Sequence, residues 1–200
     1  GLVGSEMCIR DSYADCHDFV AGSCGKPVVH MEVKIDSPDP QNVPGEILAR
    51  GLNVMLGYFK NEEATAQTID AEGWYHTGDL GLMDADGNVF IKGRSKNMLL
   101  GASGQNIYPE EIEDKLNSLN MVNECIVVQR GEKLVGLVYP DFDEAATMQL
   151  NDSDLENIME ENRQELNASQ PPYCRLAAIE IVKEEFEKTP KKSIKRYLYK

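Results

Sequence analysis

The sequence lacks any cysteine or histidine spacing suited to a metal. Its five cysteines (Cys8, Cys16, Cys24, Cys125, Cys174) are scattered, none lies in a C-x-x-C pair, and the three histidines (His17, His30, His76) match no ligand pattern. No metal-ligating residues are expected in this chain, and an odd cysteine count without a disulfide framework fits a reducing compartment, hence a cytoplasmic location. Also missing is an apolar run near the roughly 18 residues that a membrane-spanning helix needs. No transmembrane segment is expected, which leaves peripheral membrane contact open. Positive charge is scarce, with 20 Lys and Arg against 34 Asp and Glu and a net charge of −14. An acidic surface repels polyanions and argues against nucleic acid as the main partner. There is no internal repeat and no low-complexity stretch. No signal peptide is apparent, and nothing in the composition fixes an oligomeric state.

What is present suits one or two globular domains: 200 residues, 42% apolar and 27% charged. Residues 1–12 (GLVGSEMCIRDS) begin without Met and fit neither strand nor helix. They read as foreign sequence, whether a cloning scar, an assembly error or a translated adapter, and stand outside the fold argument. From Val28 to Lys92 the pattern is that of strands. Val28–Ile35 alternates, with Val29, Met31, Val33 and Ile35 on one face. Gly45–Gly51 is a short strand, and Glu62–Ile69 a short helix. Trp74–Leu82 and Asn88–Lys92 are strands around an Asp84–Gly87 turn, where Asp and Gly tolerate positive φ. Short connections between strands suggest a small barrel or sandwich.

The character changes after Gly93-Arg94-Ser95-Lys96. A glycine-bearing loop, Gly101–Gly104, precedes a helix starting at Pro109. Proline suits a first helical turn, Glu110 and Glu111 suit the positive end of the dipole, and Ile112, Leu116 and Leu119 form one apolar face. Val122–Gln129 and Leu134–Tyr139 are strands joined by a tight turn at Arg130–Lys133. Ser153 is expected to cap a helix carrying Leu155, Ile158, Met159 and Leu166 inward, and Ala177–Val182 is a third strand. A β-rich unit followed by an α-β-β-α-β order predicts an α+β chain of two units joined near Lys96. From Lys188 to Lys200 there are six basic residues and no acidic one (Lys188, Lys191, Lys192, Lys195, Arg196, Lys200). A basic end on an acidic protein suggests a local anion contact, although a solvated tail would look the same.

Four segments in this order carry a family resemblance: GEILARGLNVMLGY (Gly45–Tyr58), GWYHTGDLG (Gly73–Gly81), GRSKNMLLGASGQNIYPEEIE (Gly93–Glu113) and TPKKSIKR (Thr189–Arg196). Each alone is weak. Together they resemble the adenylate-forming superfamily of acyl-CoA synthetases, luciferases and peptide-synthetase adenylation domains, over about Tyr13–Lys200. The resemblance implies that residues 13–94 are the β-rich end of a large AMP-binding domain and that 95–200 form a mobile C-terminal lid domain. It implies ATP, Mg2+ and coenzyme A as cofactors and co-substrates. Among its branches, SGQNIYPEEIE with FEKTPKKSIKRYLY looks most like bacterial long-chain fatty-acid–CoA ligases, so a fatty acid is the implied substrate. An aryl or medium-chain acid, or a carrier-protein acceptor, stays open.

By resemblance, Asp79 of the T-G-D segment accepts hydrogen bonds from both ribose hydroxyls, which one carboxylate can do at once. Arg94 meets the ribose and phosphate end of the nucleotide, where an always-charged fork of donors is useful. Lys96 matches the residue about which the C-terminal domain rotates between adenylation and thioester formation. Gly101, Ala102, Ser103 and Gly104 would approach the pantetheine arm of coenzyme A, where small residues avoid a clash. Glu46 and Tyr58 read as structural.

The last segment departs from the pattern T-P-x-x-K-[IL]-x-R. With Thr189, Pro190, Ile194 and Arg196 in register, Ser193 stands where the resemblance implies a lysine that offsets charge at the α-phosphate. Lys192, one residue earlier, is the preferred replacement, with Lys191 and Lys195 as alternatives. The family's upstream phosphate-gripping loop and its Y-G-x-T-E segment are absent, and Tyr13–Pro27 resembles the stretch directly C-terminal to Y-G-x-T-E in the family. Most of the ATP site and the acyl pocket are thus expected outside these 200 residues, and the unit before Lys96 is expected to expose apolar surface. A non-catalytic lid or interaction module is the alternative from another class. Ser193 favours it slightly; the presence of both Asp79 and Arg94 speaks against it. The purified 200-residue chain is expected to show no ATP–pyrophosphate exchange with a panel of fatty acids, and clear turnover would refute that expectation.

Overall fold

Period-two patterning builds the first sheet, and the computed structural model shows where that pattern starts and stops. It describes residues 20–190 and 192–199, together with a two-residue strand, Ser12–Tyr13. The chain divides between Lys96 and Asn97 into two compact units, Gly1–Lys96 and Asn97–Lys200.

In the first unit, β1 (Ser12–Tyr13) pairs with β2 (Lys26–Pro27). The main sheet is an antiparallel meander of β3 (Met31–Asp36), β4 (Gly45–Gly51), β5 (Tyr75–Met83) and β6 (Val89–Arg94), in that order. In β3, Met31 and Ile35 are buried, Val33 is half-buried, and Glu32, Lys34 and Asp36 are exposed. Val29 does not join this face, because His30 adopts φ 68° and breaks the pleat before Met31. Ile35, Ile47 and Val89 form the core of the sheet, with Val33, Met83 and Ile91 packed against them. Among the described residues the sheet is an open four-stranded one, not closed into a barrel.

The β5–β6 turn is built by Asp84. Its Oδ1 accepts from the Asp86 N–H at 3.0 Å and the Asn88 N–H at 2.8 Å, while Oδ2 accepts from Asn88 Nδ2 at 2.8 Å. Gly87 supplies the positive φ of 85° that this turn requires. Helix α1 (Glu62–Thr68) is capped by the side chain of Asn61. Between β4 and α1, Leu52, Leu56 and Phe59 are exposed.

In the second unit, β7 (Leu99–Leu100) and β8 (Asn106–Ile107) form a small ladder, followed by α2 (Pro109–Leu116). The sheet comprises β9 (Val122–Arg130), β10 (Lys133–Pro140) and β11 (Leu176–Ile181). Strand β10 runs antiparallel to β9 and parallel to β11. A parallel neighbour requires a crossover, which here consists of α3 (Phe142–Thr147) and α4 (Asp152–Ala168). The runs Cys125–Val128 and Leu134–Val138 are apolar at nearly every position because both sheet faces are covered. Cys125, Val127, Leu134 and Val138 meet Ile112 and Leu116 of α2 and Leu155, Met159 and Leu166 of α4. Ile126, Val128, Val135 and Leu137 face the other way, against Phe186. Gly136 allows close packing on the α2 side: a Cβ there would lie 3.1 Å from Leu176 Cδ1 and 3.2 Å from Leu116 Cδ2, so those side chains would have to give by a few tenths of an ångström.

Two expectations are corrected. The cap of α4 is Asn151, not Ser153: Asn151 Oδ1 accepts from the N–H groups of Ser153 and Asp154, and Asp154 Oδ2 accepts from the Asn151 N–H. Helix α3 is absent from the sequence reading, because its six residues are too few to show a 3.6-residue period, although Asp141 caps it by accepting from the Glu144 N–H. Among the described residues no helix is long and apolar enough to cross a membrane.

Replacing the fully buried Leu116 with alanine should destabilise the second unit by about 2–5 kcal/mol, read by denaturant unfolding. In the first unit, the hydrogen bond from the Asn88 side chain, with several backbone N–H groups, holds the Asp84 carboxyl below its ordinary value of 3.8. A depressed carboxylate contributes stability above its unfolded value that is lost as pH falls through the folded one. Asp84→Asn should therefore flatten the acid limb of the stability profile below about pH 4.

Candidate functional site

The Thr77-Gly78-Asp79 segment lies within β5, where the pairing slips twice. The β4–β5 register shifts between Glu46 and Leu48, and the β5–β6 register shifts between Leu80 and Gly81. Such irregularities re-aim side chains at a sheet rim. Gly78 takes φ 72°, which a residue with a Cβ adopts only under strain.

Two side chains, a hydroxyl and a carboxylate, hold this segment, and a second carboxylate stands behind them. Thr77 Oγ1 donates to the Ile47 carbonyl at 2.7 Å and accepts from the Asp79 N–H at 3.0 Å. Glu46 on β4 accepts the Gly78 N–H at 3.0 Å through Oε1, and its Oε2 lies 2.9 Å from His76 Nδ1. The other ring nitrogen of His76 is 3.9 Å from Asp70 Oδ2. Asp70 is itself tied to the backbone. Its Oδ1 accepts from Trp74 N–H at 2.8 Å and Glu72 N–H at 2.9 Å. The Trp74 bond, more than the neighbouring His76 and Lys34, holds its carboxyl below the usual range.

Asp79 and Arg94 are the two sequence-predicted residues that the structure brings together. They are register partners across β5 and β6, with Arg94 Nε 2.8 Å from Asp79 Oδ1. Arg94 also donates to the Thr77 carbonyl at 3.3 Å. The Asp79 side chain is 10% exposed and that of Arg94 38%, so a buried carboxylate sits behind a guanidinium that reaches solvent. This pairing of acceptor and donor suits the polar end of a nucleotide, because a carboxylate can accept from a vicinal diol and a guanidinium can donate to a phosphate.

Lys96 is exposed and lies in a single 3-10 turn, Ser95–Asn97, at the boundary of the two units. Gly101–Gly104 is the tip of the β7–β8 hairpin. Gly101 N–H donates to the Gln105 carbonyl at 2.8 Å and Gly104 N–H to the Gly101 carbonyl at 2.9 Å. Ala102, Ser103 and Gly104 are exposed, and Gly104 has φ 81°.

Lys192 is exposed at φ 62° on a turn closed by the Thr189 N–H to the Ser193 carbonyl and the Lys192 N–H to the Thr189 carbonyl, both at 2.8 Å. Among the described residues of the basic end, Lys188, Lys195 and Arg196 are paired. Lys195 Nζ is 3.0 Å from Glu187 Oε2, Lys188 bonds to Glu124, and Arg196 to Glu113. Lys192 makes no ion pair with a described residue, and Lys191 lies outside the described residues. Sequence reasoning assigns Glu46 only a generic structural part and gives His76 none. Their contact joins positions 30 apart, and no local pattern announces it.

Comparison with known proteins places this geometry in a family. The sequence profile described as the AMP-binding enzyme C-terminal domain matches residues 96–199. The 2-succinylbenzoate–CoA ligase of Bacillus cytotoxicus is 42% identical over 120 residues, covering 58% of this chain and 24% of the relative. The 4-coumarate–CoA ligase 2 of Oryza sativa subsp. japonica is 38% identical over 168 residues, covering 81% of this chain and 28% of the relative. The chain thus spans about a quarter of the length of these curated relatives. Among solved structures, the anthranilate CoA ligase AuaEII with anthranoyl-AMP superposes with a TM-score of 0.72 at 28% identity, covering 90% of this chain and 34% of that one. The O-succinylbenzoate coenzyme A synthetase of Bacillus subtilis with AMP gives 0.69 at 26% identity, covering 90% and 35%. This chain belongs to the AMP-binding, adenylate-forming enzyme family, and residues 96–199 are that family's C-terminal domain.

Proposed function

We propose that the chain is the C-terminal part of an acid–thiol ligase that activates a carboxylic acid with ATP and transfers the acyl group to coenzyme A. In this reading residues 13–94 close the AMP-binding domain and 95–200 are the mobile domain, turning about Lys96. The observation that carries it is the Asp79–Arg94 pair at the rim of β5 and β6, with Gly78 pinned by Glu46. Asp79 accepts the ribose hydroxyls, and Arg94 leans from the same carboxylate toward the phosphate end. The acid would attack the α-phosphorus of ATP with loss of pyrophosphate, and the thiol of coenzyme A would then displace AMP; Mg2+, when bound, would offset phosphate charge, its ligands being expected upstream of this chain. Lys192 offers a cation to the charge that gathers there, and the Gly101–Gly104 tip approaches the thiol arm of coenzyme A.

Two readings of the acid each have support. The segments SGQNIYPEEIE and FEKTPKKSIKRYLY favour a long-chain fatty acid. The relatives' names, 2-succinylbenzoate–CoA and 4-coumarate–CoA ligase, favour an aryl acid. We favour the aryl acid, since the solved relatives with bound adenylate or AMP are also named for anthranilate and succinylbenzoate. Thioester formation with coumarate, succinylbenzoate and palmitate, by the longer enzyme carrying this chain, separates the two. Ser193 in the motif's lysine position supports the competing non-catalytic module.

In that longer enzyme, Asp79→Asn should lower ATP–pyrophosphate exchange about 100-fold, as loss of charge-assisted hydrogen bonds worth roughly 2–3 kcal/mol implies. An unaltered rate would refute the ribose assignment. Lys192→Ala should lower exchange by about 10²–10³. Lys195→Ala should leave it nearly unchanged, because that lysine is held by Glu187. The opposite ranking would transfer the role to Lys195.

A further inference from the structure

The turn that carries Lys192 has two legs, and they are fastened by different means. Phe186, on the incoming leg, is buried against the outer face of the sheet and meets the Tyr199 ring edge-on at 5.1 Å. The outgoing leg runs from Ser193 to Arg196. Within it, Lys195 bonds to Glu187 of the incoming leg, and Lys188 and Ile194 form an isolated bridge. These polar contacts tie the legs to each other, while Ile194 packs against the apolar cluster on the outer sheet face, a contact without directional specificity.

Arg196 supplies the directional, charged tie between the outgoing leg and the body of the domain. Its guanidinium bonds to Glu113 Oε2, with Glu110 Oε1 4.0 Å away. Glu113 is 6% exposed on the inner face of α2, and its Oε1 accepts the Val127 N–H of β9 at 2.6 Å. Glu110 Oε1 accepts Asn97 Nδ2 at 2.7 Å. One face of α2 thus grips a sheet strand, the first residue of the second unit and the outgoing leg of the Lys192 turn.

We propose that Arg196 and Glu113 are positioning residues for Lys192: their buried ion pair sets the point from which the lysine reaches, and neither touches substrate. This inference rests on the role given to Lys192 above. A flexible four-carbon stem on an exposed turn is useful only when its base is fixed, since misplacement by about 1 Å can lower a rate about 100-fold. Arginine suits the position because its rigid fork can engage Glu113 while facing Glu110, whereas lysine would offer a point charge. A buried pair of this kind serves geometric specificity more than net stability.

The test has two arms. In the 200-residue chain, Arg196→Ala should speed amide exchange across residues 188–199 by at least tenfold while the amides of β9, β10 and α4 keep wild-type protection. Unchanged exchange in the tail, or loss of protection throughout the second unit, would overturn the proposal. In the longer enzyme, Arg196→Ala should lower kcat of ATP–pyrophosphate exchange about 10- to 100-fold with KM for ATP nearly unchanged. Thioester formation from supplied acyl adenylate should stay within about twofold. Arg196→Lys should recover part of the loss, and Glu113→Gln should fall between Arg196→Ala and wild type. Equal loss in both half-reactions would mark Arg196 as a general stabiliser and overturn the proposal. Failure of the underlying reading looks different: wild-type enzyme would show no exchange, or Lys192→Ala would have no effect, while the tail-exchange arm still gave its own answer.

Discussion

Carboxylates taken out of water must find donors, and the fold of both units is organised around that requirement. A buried carboxylate without partners loses several kcal/mol of solvation and tends to protonate. Glu113 shows the competition. Burial pushes its carboxyl up, and Arg196 and the Val127 N–H pull it back. Burial works against the Arg196 guanidinium as well, but the charge of Glu113 and its hydrogen bond hold the proton more firmly than usual. The pair is stable only as a pair. That couples the neighbouring helix α2 and strand β9 to Arg196, which lies 83 positions from Glu113 in the chain.

The first unit repeats the theme with different donors. Glu46 is answered by a backbone N–H and an imidazole, and the Asp79 carboxylate by the Arg94 guanidinium, while the Asp79 backbone N–H donates to Thr77 Oγ1. In each case the donor is fixed by a strand, so the acceptor is oriented as well as neutralised. That orientation separates a carboxylate available to a ligand from one that merely ends a strand. A bulge on each side of Asp79 allows β5 to turn it toward Arg94 while Leu48 and Ile47 keep the sheet buried.

Much of the architecture is legible in the sequence because it is written locally. The strands of the first unit, the Asp84–Gly87 turn, the Pro109 helix and the apolar stripe of α4 arise from period, turn chemistry and capping residues. The misreadings are also local in origin. A left-handed His30 shortens β3, Asn151 rather than Ser153 meets the first amides of α4, and α3 is too short to show a period. The fold class, α+β with a β-rich first unit, matches the solved relatives. The barrel half of the barrel-or-sandwich reading does not survive, because short connections do not distinguish a closed sheet from an open meander.

The sequence by itself determined the family, through four ordered segments, and with it which residues to watch. It also placed the two strands of the second sheet around the Arg130–Lys133 turn; that both of their faces are covered emerged with the fold. Only the tertiary structure decided how the charged residues pair. Six basic residues near the end of the chain look alike as text. Folding sends Lys188 to Glu124, Lys195 to Glu187 and Arg196 to Glu113, and leaves Lys192 exposed on a left-handed turn. The reason is that ion pairing depends on distance in space and on burial, and partners such as Arg196 and Glu113 stand 83 positions apart in the chain.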